Sequence, residues 1–117
     1  MVHSPDNTAV VAGERTSFIC ISNTSFLNWF KASQGDSYTS IASGCMLNPN
    51  MAGIYDLENV GVGRCDLVVL AARSEDAGTY MCMETIGFDL FHTAQLAVLG
   101  KPSGYYTACY ASFYNIT

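Results

Sequence analysis

The placement of two cysteines around a tryptophan and a tyrosine constrains the fold of this chain more than any other feature. Trp29 follows Cys20 closely, and Cys82 ends the run Asp76-Ala77-Gly78-Thr79-Tyr80-Met81-Cys82. The carboxylate that opens this run is suited to accept hydrogen bonds in a turn, and the glycine suits a backbone that bends sharply. The run therefore predicts a turn that leads directly into a strand ending near the second cysteine.

Short segments with two-residue hydrophobic alternation make up most of the remaining pattern, and no helical period is long enough to compete with them. Strands are predicted over residues 8–12, 38–42 and 93–99. Alternate side chains of a strand face the same side of its sheet. The residues predicted to face the core are Thr16, Phe18, Cys20, Leu27, Trp29, Leu67, Val69, Ala72, Leu96 and Val98.

The constellation of Cys20, Trp29 and the D-x-G-x-Y-x-C run resembles that of an immunoglobulin domain. The resemblance implies an all-β sandwich of two antiparallel sheets with Greek-key connections, linked by a disulfide between Cys20 and Cys82. It also implies that Trp29 is packed against this bridge. Tyr80 would occupy the position called the tyrosine corner, where its hydroxyl bonds to nearby backbone.

One departure from the family concerns the arginine that usually pairs with the acid of the turn. Tyr55 stands about where that arginine would lie upstream of Asp76. Arg64 is the only nearby substitute that the sequence offers for this role.

The length of chain between the core cysteines refines the subtype. The segment from Trp29 to Cys82 leaves room for two additional strands between Tyr38 and about Asn50. Variable-type immunoglobulin domains carry such a pair, whereas constant-type domains lack it. The resemblance is therefore to a V-set domain over residues 1–99, with residues 100–117 as a stalk, a linker or the truncated start of a following domain.

The three remaining cysteines narrow the resemblance further. The T-cell costimulatory and inhibitory receptors have an additional disulfide between central strands and a cysteine after the last strand. The spacing of the cysteines in this chain resembles theirs. An invertebrate V-type domain with its own additional bridge would look the same. Either resemblance implies a disulfide between Cys45 and Cys65. It leaves Cys109 unpaired within the monomer, where it could link two chains.

Several features favour an extracellular location, either at the cell surface or as a secreted protein. Five cysteines in a short chain are typical of an oxidising compartment, and Asn23 and Asn115 begin glycosylation sequons. The net charge of −5 disfavours nucleic acid and anionic membrane surfaces as partners. The longest apolar run, 67–72, is too short to cross a bilayer, so a membrane would be reached only through a segment outside this chain.

Strand alternation also predicts a binding surface on the side of the sheet that faces away from the core. Two neighbouring strands place polar and apolar side chains there, and the hairpin 84–91 adds more. In V-set domains this face pairs with another such domain, so the expected partner is a protein ligand or a second copy of the chain. The alternative is that the tail or a neighbouring loop covers these side chains. The residues predicted to form this surface are Asn28, Phe30, Met81, Met83, Ile86, Phe88 and Phe91.

Catalysis finds little support in the sequence. His3 and His92 are the only imidazoles, and no motif places a nucleophile or carboxylate beside either of them. No closely spaced cysteine pair predicts a zinc site, and no cofactor is expected. The predicted function is therefore protein recognition by an immune-type or adhesion receptor. A structural module that packs against a neighbouring domain is the main alternative, and a lectin-like domain for small ligands is the third.

Overall fold

The computed structural model describes residues 3–23, 27–33, 37–84 and 91–100. These segments contain strands and two short 3-10 turns, Pro49–Met51 and Ser74–Asp76, and none contains a helix long and apolar enough to cross a membrane. The strands are β1 (Thr8–Val11), β2 (Thr16–Phe18), β3 (Leu27–Ala32), β4 (Tyr38–Ser43), β5 (Met46–Leu47), β6 (Tyr55–Gly61), β7 (Arg64–Val69), β8 (Gly78–Glu84) and β9 (Phe91–Leu99).

The strands form two sheets. The larger has the order β1-β9-β8-β3-β4-β5, and the smaller has the order β2-β7-β6. The expectation of two wholly antiparallel sheets is wrong in one respect, because β1 runs parallel to β9, from Thr8 opposite Leu96 to Val11 opposite Leu99. The remaining pairings between strands are antiparallel. The two strands expected between Tyr38 and Asn50 are present as β4 and β5.

The core lies between the sheets and is built from the alternate positions that the sequence predicts. Its largest fully buried side chains are Trp29, Tyr80 and Phe18. The ring of Phe18 bridges the other two, with centroid distances of 5.2 Å to Tyr80 and 6.2 Å to Trp29. Burial of one large apolar side chain contributes about 2 to 3 kcal/mol. The predicted inward residues Leu27, Leu67, Val69, Ala72, Leu96 and Val98 are all buried here.

A disulfide joins Cys20 and Cys82 across this core, as predicted, with their Cα atoms 6.6 Å apart. Trp29 lies directly opposite Cys82 in the pairing of β3 with β8, so the indole is adjacent to the bridge. The bridge closes a loop with a sequence separation of 62 residues. In the chain-entropy model, a loop of this size stabilises the fold by about 4 kcal/mol.

The turn before β8 is held by a buried carboxylate, but the partner of that carboxylate differs from the expectation. Asp76 accepts a hydrogen bond from the Arg73 backbone N–H at 2.9 Å, and it accepts two more from the Arg73 guanidinium at 2.9 and 3.1 Å. The suggestion that Arg64 takes this role is wrong, because Arg64 lies on β7 and binds Asp66 there. The 3-10 turn Ser74–Asp76 brings Arg73 back to the carboxylate instead.

Candidate protein-binding face

The side of the larger sheet that faces away from the core carries five of the seven residues predicted for binding. We call it the outer face. Phe30 lies opposite Met81, and Met83 lies between Asn28 on one side and Phe91 on the other. The registers thus bring these five side chains into one patch across β3, β8 and β9. The other two predicted residues, Ile86 and Phe88, lie outside the described residues, as does most of the hairpin 84–91.

The members of this patch differ in exposure. The Phe91 side chain is 50% exposed, and Asn28, Phe30 and Met83 are half-buried. Met81 retains only 9% exposure, yet it does not belong to the core cluster between the sheets. Its opposite neighbours on the outer face are Phe30 and Thr93. Met81 therefore lies beneath the outer face, and the more exposed phenylalanines and Met83 surround it.

Two further apolar side chains extend the outer face and were missed by sequence analysis. Tyr38 lies opposite Ala32 and is 46% exposed, and Met46 lies opposite Ser43 and is 75% exposed. Continued alternation from Phe30 onto the predicted strand 38–42 is the signal that would have found Tyr38. The position of Met46 depends on a tight turn between β4 and β5, and its sequence is not a usual signal for such a turn.

The outward strand positions of the larger sheet carry no Asp, Glu, Lys or Arg within the part of the chain that the structure describes. Charged residues of these strands occupy positions of the opposite parity. Lys31 donates a hydrogen bond to the Glu75 carbonyl at 2.9 Å, and its ammonium lies 6.0 Å from the Tyr80 ring centroid. Glu84 is buried. The centres of protein interfaces are depleted of charge in the same way.

Three polar side chains of the outer face form hydrogen bonds within the protein: those of Asn28, Thr79 and Gln95. The Asn28 side-chain oxygen accepts a hydrogen bond from the Gly44 N–H at 2.7 Å, which fixes the turn after β4. Across β8 and β9, the Gln95 amide donates to the Thr79 hydroxyl at 2.6 Å. Groups already satisfied within the protein lower the desolvation cost of covering this face with a partner.

A cavity of about 290 Å³ lies at one edge of the sandwich, among apolar side chains that include Ile41, Met51 and Ile54. Two of the charged side chains at its rim, Arg73 and Asp76, form an ion pair, and Lys31 donates a hydrogen bond to the Glu75 carbonyl. Arg73 binds Asp76, and this contact raises the pKa of the guanidinium. The cavity is smaller than most sites for drug-sized ligands.

The remaining predicted sites fall partly within the described chain. Asn23 is exposed, but the next two residues of its sequon lie outside the description, as do Asn115 and Cys109. His3 lies 3.8 Å from Asp6, and His92 lies on β9 opposite Cys82. Within the described segments, no group of three or more histidine, cysteine and acidic side chains could hold a metal ion. Absence of catalysis stays a prediction.

No family model matches this chain, and no curated protein matches it in sequence.

Proposed function

We propose that this chain is a variable-type immunoglobulin domain of a cell-surface or secreted immune-type or adhesion receptor. The strand arrangement supports the subtype. Variable-type domains extend the larger sheet by two strands in the middle of the chain, and β4 and β5 occupy that place here. The bridge from Cys20 to Cys82 fits an oxidising compartment outside the cytosol. The chain also crosses between the sheets several times, as a Greek key requires.

The observation that carries the function is the uncharged, apolar outer face. Phe91, Tyr38 and Met46 are exposed large side chains on a single sheet surface, and they surround Phe30 and Met83. Large apolar patches on soluble domains mark interaction sites. An open sheet surface suits the broad surface of another protein better than it suits a small molecule, which needs a concave site. We therefore infer that the outer face binds another protein.

A second copy of this chain has the required surface chemistry. Its own outer face is uncharged over the described positions and carries the same apolar cluster, so two such faces placed together bring no like charges into contact. The net charge of −5 is carried elsewhere and is screened over about 10 Å at moderate salt. Self-association through the outer face can therefore be measured with this chain alone.

Sedimentation equilibrium over a concentration series tests the proposal. We expect a reversible dimer, and we expect Met83→Glu to weaken it at least fivefold, about 1 kcal/mol, with little change in melting temperature. Val62→Glu is the matched control, because Val62 is an exposed apolar residue in the β6–β7 turn of the other sheet. Equal dimerisation of both variants would contradict pairing through the outer face. Unfolding of the Met83→Glu monomer would instead assign Met83 to the core.

A further inference from the structure

The space between the two sheets is filled near the start of β3 and hollow near its end. Cys45 and Cys65, which are free thiols in the structure, are buried near the start of β3. Lys31, near the end of β3, borders the cavity of about 290 Å³. This cavity lies between β4 of the larger sheet and the two segments that lead into β6 and β8.

The floor of the cavity is apolar. Ile41 is fully buried on β4, and Met51 and Ile54 pack against the core from the segment between β5 and β6. At about 30 Å³ for each water molecule, the cavity has room for about ten waters, or for a ligand of about six to ten non-hydrogen atoms. An apolar ligand body is stabilised on such a floor because it removes apolar surface from water.

Two cationic side chains border the cavity, and the protein itself holds both in place. The Lys31 ammonium donates a hydrogen bond to the Glu75 carbonyl at 2.9 Å and lies 6.0 Å from the Tyr80 ring centroid. The Arg73 guanidinium is fixed by two hydrogen bonds to the Asp76 carboxylate. Side chains that are already ordered lose little conformational entropy when a ligand binds.

Both cations retain N–H groups that a ligand can use. An ammonium has three N–H donors, and Lys31 uses one of them on a carbonyl. A guanidinium has five, and Arg73 uses two of them on Asp76. The hydroxyls of Ser33 and Thr39 lie 2.7 Å apart, so one donates to the other and the second keeps its own O–H. The polar end of the cavity therefore suits a ligand group that accepts hydrogen bonds and carries negative charge.

The acidic side chains at the rim leave this preference in place. The charge of Asp76 is compensated by Arg73. Glu75 lies 3.9 Å from the Arg73 Nε, and its side chain is 67% exposed, so water screens its charge. Lys31 forms no ion pair with a carboxylate in the segments that the structure describes.

We propose that this cavity binds a small monocarboxylate with a short apolar body. The apolar body lies on the floor, and the carboxylate accepts hydrogen bonds from Lys31 and Arg73. This site is separate from the outer face, because Lys31 and Thr39 have the opposite strand parity to Phe30 and Tyr38. Its test is therefore independent of self-association through the outer face.

Titration of the isotopically labelled chain with isocaproate, followed by the chemical shifts of its amides, tests the proposal. We expect saturable shifts around Lys31, Ile41, Ile54 and Arg73, with a dissociation constant of about 1 mM or below. Isohexyl alcohol has the same apolar body without the charge and should bind at least about tenfold more weakly. Shifts that do not saturate, shifts confined to the outer face, or equal binding of the alcohol would each overturn the proposal.

Variants identify the group that holds the carboxylate. Lys31→Met keeps the apolar stem of the side chain and removes its charge, so it should weaken isocaproate binding at least about fivefold. Arg15→Met is the matched control, because it changes the net charge equally while Arg15 pairs with Glu58 away from the cavity. Unchanged binding by Lys31→Met, or an equal loss in both variants, would contradict the proposed site. If Lys31→Met fails to fold, the comparison of the acid with the alcohol decides alone.

Discussion

The Tyr80 hydroxyl donates a hydrogen bond to the backbone carbonyl of Asp76 at 2.6 Å, and this contact ties the start of β8 to the turn that precedes it. The same hydroxyl lies 2.9 Å from that of Tyr55 on the smaller sheet. Two phenols and one carbonyl thus connect the two sheets at a site where the Tyr80 ring is fully buried. The predicted bond from this tyrosine to nearby backbone is confirmed.

Tyr80→Phe should destabilise the domain by about 1 to 3 kcal/mol, because a buried carbonyl and the Tyr55 hydroxyl each lose a partner. Urea unfolding followed by fluorescence measures the loss. Tyr38→Phe is the matched control, since it removes the same atom from a half-exposed ring on the outer face. Equal losses in the two variants would show that the buried hydroxyl has no special role.

Arg73→Met should destabilise the domain by about 1 to 2 kcal/mol, because the Asp76 carboxylate is buried and loses its two guanidinium bonds. The value stays modest because Arg73 is half-exposed and water partly replaces it. Arg15→Met provides the control, as Arg15 binds Glu58 in a pair exposed on both sides, and we expect less than about 0.5 kcal/mol there. A larger loss at Arg15 would contradict this account.

Stability should fall as the pH rises above about 10. Burial raises the pKa values of Tyr80 and Tyr55 above that of an unfolded tyrosine, so the folded state retains protons that the unfolded state releases. Stability is therefore complete below pH 10 and is lost above it, by up to about 1.4 kcal/mol per pH unit for each tyrosine. Urea midpoints measured from pH 8 to pH 11 check this.

Variants identify the groups responsible for this alkaline loss. Tyr55→Phe removes one of the two titrating phenols and should make the fall with pH shallower. An identical slope in Tyr55→Phe and the parent would assign the alkaline loss to other groups.

Self-association through the outer face should be nearly independent of salt. The described outward positions carry no charge, so salt has no attractive ion pair to screen at this contact. Each copy has a net charge of −5, and salt screens the repulsion between the two copies, which favours association slightly. We expect the dimer dissociation constant to stay equal or to fall by less than about threefold between low and physiological salt. A tenfold weakening on addition of salt would indicate that charged residues elsewhere make the contact.

Asn28→Ala should destabilise the domain by about 1 kcal/mol, because the Gly44 N–H loses its 2.7 Å acceptor. Hydrogen exchange of the Gly44 and Cys45 amides should accelerate more than that of β8. Thr93→Ala, on the same face but outside this contact, should leave the exchange of the turn unchanged. Equal acceleration of β8 would mean that the substitution acts through global unfolding.

The sequence determined which side chains form the core. A strand places alternate residues on opposite sides, so the positions of Phe18, Leu27, Trp29 and Leu67 followed from the pattern alone. The same rule placed Phe30 and Met83 away from the interior. The resemblance to an immunoglobulin domain also implied the Tyr80 contact, which joins the hydroxyl to backbone only a few residues upstream.

The tertiary structure decided the contacts that depend on local backbone geometry or on distant strands. A three-residue 3-10 turn selected Arg73 rather than Arg64 for Asp76, since the carboxylate receives both its backbone and its guanidinium donors there. Positive φ values at Gly44 and Cys45 place the Cys45 side chain in the core and the Met46 side chain at the surface. The alternation of side chains along a strand carries no information about such a turn. The parallel partner of β1 was equally undetermined, because pairing between remote strands depends on the assembled sheet rather than on either segment.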